Sequence, residues 1–268
     1  MSATQTYPLA TPDWEVPSFT EQAFFSRRTT YCICIPVLNE GARIQRQLNR
    51  MRALVDIADI IIADGGSTDG ALASEFLQEM GVRTLLTKTG PGKLSAQMRM
   101  AMAYALEQGY DGMVFIDGND KDDPNAIPLF IEALREGYDH VQGSRFVPGG
   151  REVNTPAARL WGIKLIHAPL ISAAAGFRYS DTTNGFRAYS ARLLRDERVK
   201  PFREVFSQYE LHYYLAIRAA RLKLRIKEVP VIREYPATGK TPTKISPFKG
   251  NLKILRTLFE ACVHAYNP

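Results

Sequence analysis

The chain has 268 residues, a formal net charge of +6 and a pI near 9.2. That length closes one large core or two small ones without covalent staples. Its three cysteines lack zinc spacing, which fits a reducing compartment and excludes a disulfide scaffold. The basic charge calls for an anionic partner, a nucleotide, a nucleic acid or an acidic membrane face, without choosing among them.

No basic segment followed by an apolar stretch opens the chain, so no signal peptide is expected and the cytosol is the default. The longest mostly apolar run, residues 160–177, is interrupted by Lys164, His167 and Pro169, so no transmembrane helix is expected. Residues 1–28, with Pro8, Pro12 and Pro17 and no periodicity, read as an irregular arm. From Tyr31 the pattern is regular. A strand at 31–35 stops at Pro36, and Ile44, Leu48, Met51 and Val55 then recur at helical spacing. A second strand at 60–63 turns through Asp64 to Gly70 into a helix ending at Gly81, and a third at 82–86 leads through a glycine-proline loop, 87–93, into a helix over 94–108. A fourth, 113–116, runs into Asp117-Gly118-Asn119-Asp120-Lys121-Asp122-Asp123-Pro124, where Asp123 and Pro124 have the types that start a helix. A helical stripe (Ile127, Phe130, Ile131, Leu134) and a short strand at 138–142 follow.

Continuous apolar strands alternating with amphipathic helices predict an α/β fold, a single domain whose mostly parallel central sheet has helices on both faces. Beyond Gly150 the rhythm loosens into a partly helical run to Gly176, a polar turn at 181–187, a helix over 208–220 and a strand-like stretch at 222–235. The division expected is an arm (1–28), a catalytic domain (29–245, with a donor half 29–150 and an acceptor half 151–245) and a C-terminal helix (246–268). In that helix Phe248, Leu252, Leu255, Phe259, Cys262 and Tyr266 form one stripe, with Lys249, Lys253 and Arg256 elsewhere. This is the pattern of a basic amphipathic helix at an anionic membrane surface, or of a helix packed on the protein's own core or on a second copy.

Polar groups converge at the strand ends, the edge where open α/β sheets bind ligands. Asp64 suits a base N–H or a ribose hydroxyl, Lys93 and Arg99 offer charge to phosphates, and the hard oxygens of Asp117 and Asn119 suit Mg²⁺ or Mn²⁺ carrying a diphosphate. No G-x-G-x-x-G follows the first strand and the 87–94 loop lacks the P-loop pattern, which excludes a dinucleotide oxidoreductase and a P-loop NTPase. Acids at the ligand edge count against nucleic acid.

The succession Ile35-Pro36-Val37-Leu38-Asn39-Glu40, then Asp64-Gly65-Gly66-Ser67-Thr68-Asp69, the Asp117 strand end, Gly143-Ser144-Arg145-Phe146 and Asp181-Thr182-Thr183-Asn184-Gly185-Phe186-Arg187 resembles family 2 glycosyltransferases of the GT-A fold. The nearest subgroup is the polyprenyl (dolichyl) phosphate mannosyltransferases, and the likeness covers about residues 30–235. The resemblance implies inverting transfer of a sugar from a nucleotide-diphosphate donor, GDP-mannose or a UDP-sugar, to a polyprenyl phosphate or lipid-linked glycan at the cytoplasmic face of a membrane. It implies that Pro36, Asn39, Glu40 and Asp64 line the nucleotide pocket, that Asp117 and Asn119 handle the metal, and that Arg145 and Arg187 face phosphates. Glu210 is the candidate base, with an exposed helix acid as its alternative. For Arg187 the alternative is an ion pair with Asp181. Two departures stand out. Asp117-Gly118-Asn119 replaces the usual Asp-x-Asp, unless Asp120 or Asp122 supplies the second carboxylate, and no membrane helices follow. A hydroxyl- and lysine-rich segment, 235–244, is expected to close over the donor. A sugar nucleotidyltransferase and a non-catalytic membrane-bound homologue are the rival readings.

Overall fold

The computed structural model describes residues 5–6, 11, 13–237 and 249–268. The segment expected to close over the donor lies outside the described residues beyond Ala237, as does Phe248 of the C-terminal stripe. In chain order the strands are β1 (Gln5–Thr6), β2 (Phe19–Ala23), β3 (Tyr31–Val37), β4 (Asp59–Asp64), β5 (Val82–Lys88), β6 (Gly112–Phe115), β7 (His140–Ser144), β8 (Arg151–Val153), β9 (Arg187–Ser190), β10 (Ile226–Pro230) and β11 (Ile232–Glu234). The helices are α1 (Ala42–Arg50), α2 (Ser74–Glu79), α3 (Leu94–Glu107), α4 (Ile127–Arg135), α5 (Ala157–Gly162), α6 (Ala168–Ala175), α7 (Ala191–Arg195), α8 (Glu210–Arg221) and α9 (Lys249–Cys262). A π-helical turn, Ile163–His167, joins α5 to α6.

The main sheet runs β1-β2-β5-β4-β3-β6-β9-β7-β10, and β8 pairs with β11 in a small second sheet. Strands β5, β4, β3 and β6 are mutually parallel, as are β7 and β10, while β9 lies antiparallel between β6 and β7. The alternation of side chains along each strand divides the core in two. Ile33, Ile35, Ile60, Ile62 and Val114 meet Ile44 and Leu48 of α1 and Phe130 of α4 on one face. Cys32, Cys34, Ile61, Met113 and Phe115 meet α3 and α8 on the other. Both faces of β4 are fully buried, and each buried isoleucine contributes on the order of 1.5–3 kcal/mol.

Three expectations are corrected. The arm read as irregular contains β2, which pairs antiparallel with β5. It lies between β5 and the two-residue edge strand β1, paired antiparallel to both, and its Phe19 is buried in the core. The stretch 222–235 divides into β10 and β11, which join different sheets on either side of Val231. The C-terminal stripe divides as well. Tyr266 is buried and Cys262 half-buried, whereas Leu252, Leu255 and Phe259 are exposed. Asp123 caps the following turn as expected, accepting from the Asn125 amide, and Pro124 opens it.

Candidate active site

Parallel β3, β4 and β6 end side by side, so the loops after them converge. Asn39, in the left-handed region at φ 49°, accepts from the Thr68 amide at 2.7 Å and donates its own amide to Ser67 Oγ at 2.9 Å. Gly41 donates to Asp69 at 2.8 Å. Asp64 accepts from both the amide and the hydroxyl of Ser67. The loops carrying Pro36, Asn39, Glu40 and Asp64 thus form one wall. Glu40 is held by Arg43 at 2.7 Å. Gln97, buried on α3, braces the floor by donating to the Val37 and Ala63 carbonyls, both at 2.8 Å.

Lys93 is exposed at the start of α3, its amide donating to the Ser207 carbonyl. Arg99 does not join it. Buried on α3, Arg99 donates to the Phe206 carbonyl at 2.9 Å, and burial pulls its pKa below the ordinary guanidinium value.

Asp117 is the focus of the second wall. Its carboxylate is partly exposed and accepts from Arg233 of β11 at 3.2 Å and from the Asn119 amide at 3.4 Å. Neither acid that could supply a second metal carboxylate is free to do so. Asp120, at φ 57°, pairs with Arg46 at 3.1 Å and Arg50 at 3.0 Å, and its amide donates to Gln47 at 2.9 Å. Asp122 is buried against Arg233. Burial pushes the Asp122 carboxyl up to about 6 against the pull of that guanidinium. Arg233, although its burial opposes the charge, is held protonated by Asp122 and Asp117.

The arginines read as phosphate ligands are engaged elsewhere. Arg145 is buried and grips Asp181 through two hydrogen bonds of 2.7 and 2.9 Å. The ion pair imagined for Arg187 with Asp181 therefore belongs to Arg145. Arg187 is buried and donates to the carbonyls of Thr182, Asn184 and His212. Together these arginines fix the 181–187 turn, which presses on Asp117: a Cβ at Gly185 would lie 2.6 Å from Asp117 Oδ1. Glu210 opens α8 nearly buried and accepts from the Gln208 amide at 2.6 Å, with no contact to Asp117.

Beside Asn119 lies a cavity of about 360 Å³ lined by the cations Arg43, Arg46, Arg50, Lys121 and Arg151, by the acids Asp120, Asp123 and Glu234, and by Tyr235. The buried Tyr235 hydroxyl accepts from Arg159 at 3.0 Å, and Lys121 stands over its ring at 5.3 Å. Burial alone would raise the Tyr235 pKa, yet Arg233 and Arg159 hold it below the ordinary phenol value. Arg233 and Lys121 were missed in the sequence, and Tyr235 was read only as the first residue of the segment expected to close over the donor. The strand-like pattern around Arg233 was its only signal, and it carried no hint of position.

The chain that builds this sheet edge matches known proteins along most of its length. The profile of the family described as glycosyl transferase family 2 covers residues 32–200. The chain belongs to glycosyltransferase family 2. An undecaprenyl-phosphate mannosyltransferase from Micrococcus luteus is 32% identical over 203 residues, covering 74% of this chain and 80% of that protein. A polyprenol monophosphomannose synthase from Mycolicibacterium smegmatis is 28% identical, covering 74% and 75%. The solved glucosyl-3-phosphoglycerate synthase of Mycobacterium tuberculosis, in complex with Mn²⁺, UDP and glucosyl-3-phosphoglycerate, superposes with a TM-score of 0.62 at 22% identity, over 87% of this chain and 80% of that one. The family 2 chain thus has the GT-A fold and is a glycosyltransferase, which removes the nucleotidyltransferase and non-catalytic readings.

Can these residues hold a divalent ion? Among the described residues no cluster of three or more His, Cys, Asp or Glu could do so alone. Asp117 with the Asn119 amide oxygen suits an ion that arrives with a diphosphate and keeps several waters, which is how Mg²⁺ is ordinarily bound.

Proposed function

We propose that the protein transfers a hexose from a nucleoside-diphosphate sugar to the phosphate of a polyprenyl phosphate, with inversion, at a membrane surface. The observation that carries this reading is the partly exposed Asp117 beside Asn119, which lines a cavity where basic side chains outnumber acidic ones. The donor's nucleoside would lie along Pro36, Asn39, Glu40 and Asp64 with Lys93 toward its phosphates. Asp117 and Asn119 would hold a Mg²⁺ or Mn²⁺ ion, which when bound supplies positive charge to the departing diphosphate.

An acceptor phosphate oxygen forms the new bond to the anomeric carbon as the bond to the diphosphate breaks, its electron pair leaving with the nucleoside diphosphate. A phosphate is already ionised near neutral pH, so no base is required. Glu210 would be the base only for a hydroxyl acceptor, and its hydrogen bond to Gln208 favours holding the start of α8. The excess of cations over acids at the cavity suits a phosphate-bearing acceptor. The relatives named for undecaprenyl-phosphate and polyprenol substrates support a lipid carrier, and their names also support mannose as the sugar. Arg145 and Arg187 would act by holding the turn against Asp117.

The test is calorimetry with GDP, UDP and dTDP, with and without Mn²⁺, alongside transfer from the matching sugar nucleotide to a short-chain polyprenyl phosphate in detergent. Metal-dependent binding of one diphosphate is expected, with transfer falling at least about a hundredfold in Asp117→Ala. Transfer to phosphoglycerate but not to the polyprenyl phosphate would overturn the acceptor assignment.

A further inference from the structure

Of the large apolar side chains that the described residues leave exposed, the most prominent fall on two helical segments. Trp161 (61% exposed), Leu165 (65%), Ile166 and Leu170 lie on α5, the π-helical turn and α6. Leu252 (68%), Phe259 (65%), Leu255 and Val263 lie on or just beyond α9. The segments touch, because α9 packs against α6 and α8. At about 100° per residue, Leu252, Leu255, Phe259 and Val263 fall within one narrow arc of the helix. The opposite side, Leu258 and Ala261, closes the core with Ile171 and Ala174 of α6. The α9 helix therefore has two apolar faces, and only one is covered. A patch of this kind on a soluble surface marks an interaction site.

The charges around it select the partner. Lys253 and Arg256 flank the α9 arc on one side, and Lys164, Arg178 and Arg221 are exposed along the α5–α6 segment. Arg256 is bound to Glu260 at 2.7 Å and Arg221 to the Ala174 carbonyl at 2.5 Å. Five cations thus stand near the patch with Glu260 among them. A self-complementary dimer face would bring those cations against each other, whereas phospholipid phosphates neutralise them. Trp161 is the residue type enriched where acyl chains meet headgroups. No described helix is long and apolar enough to cross a bilayer.

We infer that this two-helix face docks on an anionic bilayer, lying in the headgroup layer with Trp161, Leu165, Leu252 and Phe259 inserted. The inference rests on the lipid-acceptor reading for its purpose and on the patch for its location. It joins the C-terminal helix and the run 161–177, both readable in the sequence as interfacial helices, into one surface.

The experiment is sedimentation of the full chain with acceptor-free vesicles of phosphatidylcholine, with and without about one third phosphatidylglycerol. Binding is expected with the anionic vesicles, weakened at about 0.5 M salt. The variants Leu165→Asp and Phe259→Asp should each weaken it about tenfold, with nucleotide binding by calorimetry unchanged as proof of folding. Retained binding in both variants, or no binding by the wild type, overturns the inference. A wild-type dimer in solution that Phe259→Asp splits, without vesicle binding, would assign the face to a second copy instead. Vesicle binding by a protein that transfers no sugar to polyprenyl phosphate leaves the docking face standing and removes only the acceptor assignment.

Discussion

At Gly185 a single hydrogen atom decides where the Asp117 carboxylate sits. A methyl group there would lie 2.6 Å from Asp117 Oδ1, and that carboxylate is already tied to Arg233 and Asn119. The easier adjustment is for the carboxylate to move. Gly185→Ala is expected to keep the fold, with a cost of about 1–3 kcal/mol. Displacement of Asp117 should nevertheless lower kcat about a hundredfold. Steady-state kinetics beside thermal unfolding measures both, and a variant with wild-type kcat would show that Asp117 tolerates the shift. Arg145 and Arg187 teach a related point. A guanidinium fork suits a phosphate, a carboxylate and a row of carbonyls equally. Residue type in the sequence therefore could not reveal that one arginine is spent on Asp181 and the other on three backbone oxygens.

Among the elements, α1 deserves its own reading, because it reaches from the sheet to the turn after β6. Gln47 sits on its core face with Ile44 and Leu48, an unusual place for an amide, and its oxygen accepts the Asp120 amide. Arg46 and Arg50 hold the Asp120 carboxylate from outside. The two grips differ in strength. Exposed ion pairs contribute about 0–1 kcal/mol, whereas an orphaned buried amide costs about 1–3 kcal/mol. Gln47→Leu should therefore weaken Mn²⁺-dependent nucleotide binding about tenfold, Gln47→Glu no less because it buries a charge, and Arg46→Ala hardly at all. Calorimetry on the three variants checks the order, and equal losses would mean that the ion pairs carry the grip. Strands β3, β4 and β6 and their loops were readable because continuous apolar runs end abruptly in Asp, Asn and Gly. Strand β9 was not, since its four residues, Arg-Ala-Tyr-Ser, show no apolar run. The Asp117 to Arg233 bond spans 116 residues, and no local pattern encodes such a distance.

The molecule as a whole carries a buried titratable group in its centre. His140 on β7 is fully buried, its Nε2 has no hydrogen-bond partner, and burial together with Arg187 and His212 pulls its pKa well below 6.5. The unfolded chain therefore takes up a proton below about pH 6.5 that the folded chain refuses. Stability is full above that pH and declines as the pH falls. Tm measured from pH 8 to about 5 should drop on the acid side, and more shallowly in His140→Gln. Identical slopes would assign the acid loss to other groups.

The place of β9 has a consequence for synthesis. A chain made only as far as residue 150 already contains the loops after β3, β4, β5 and β6, yet the outer edge of β6 stays bare until residues 187–190 arrive to pair with it. Gly185 and Arg233, which fix Asp117, arrive later than the strand that carries it. On the ribosome, then, the loop that carries Asp117 is made long before the residues that fix its shape.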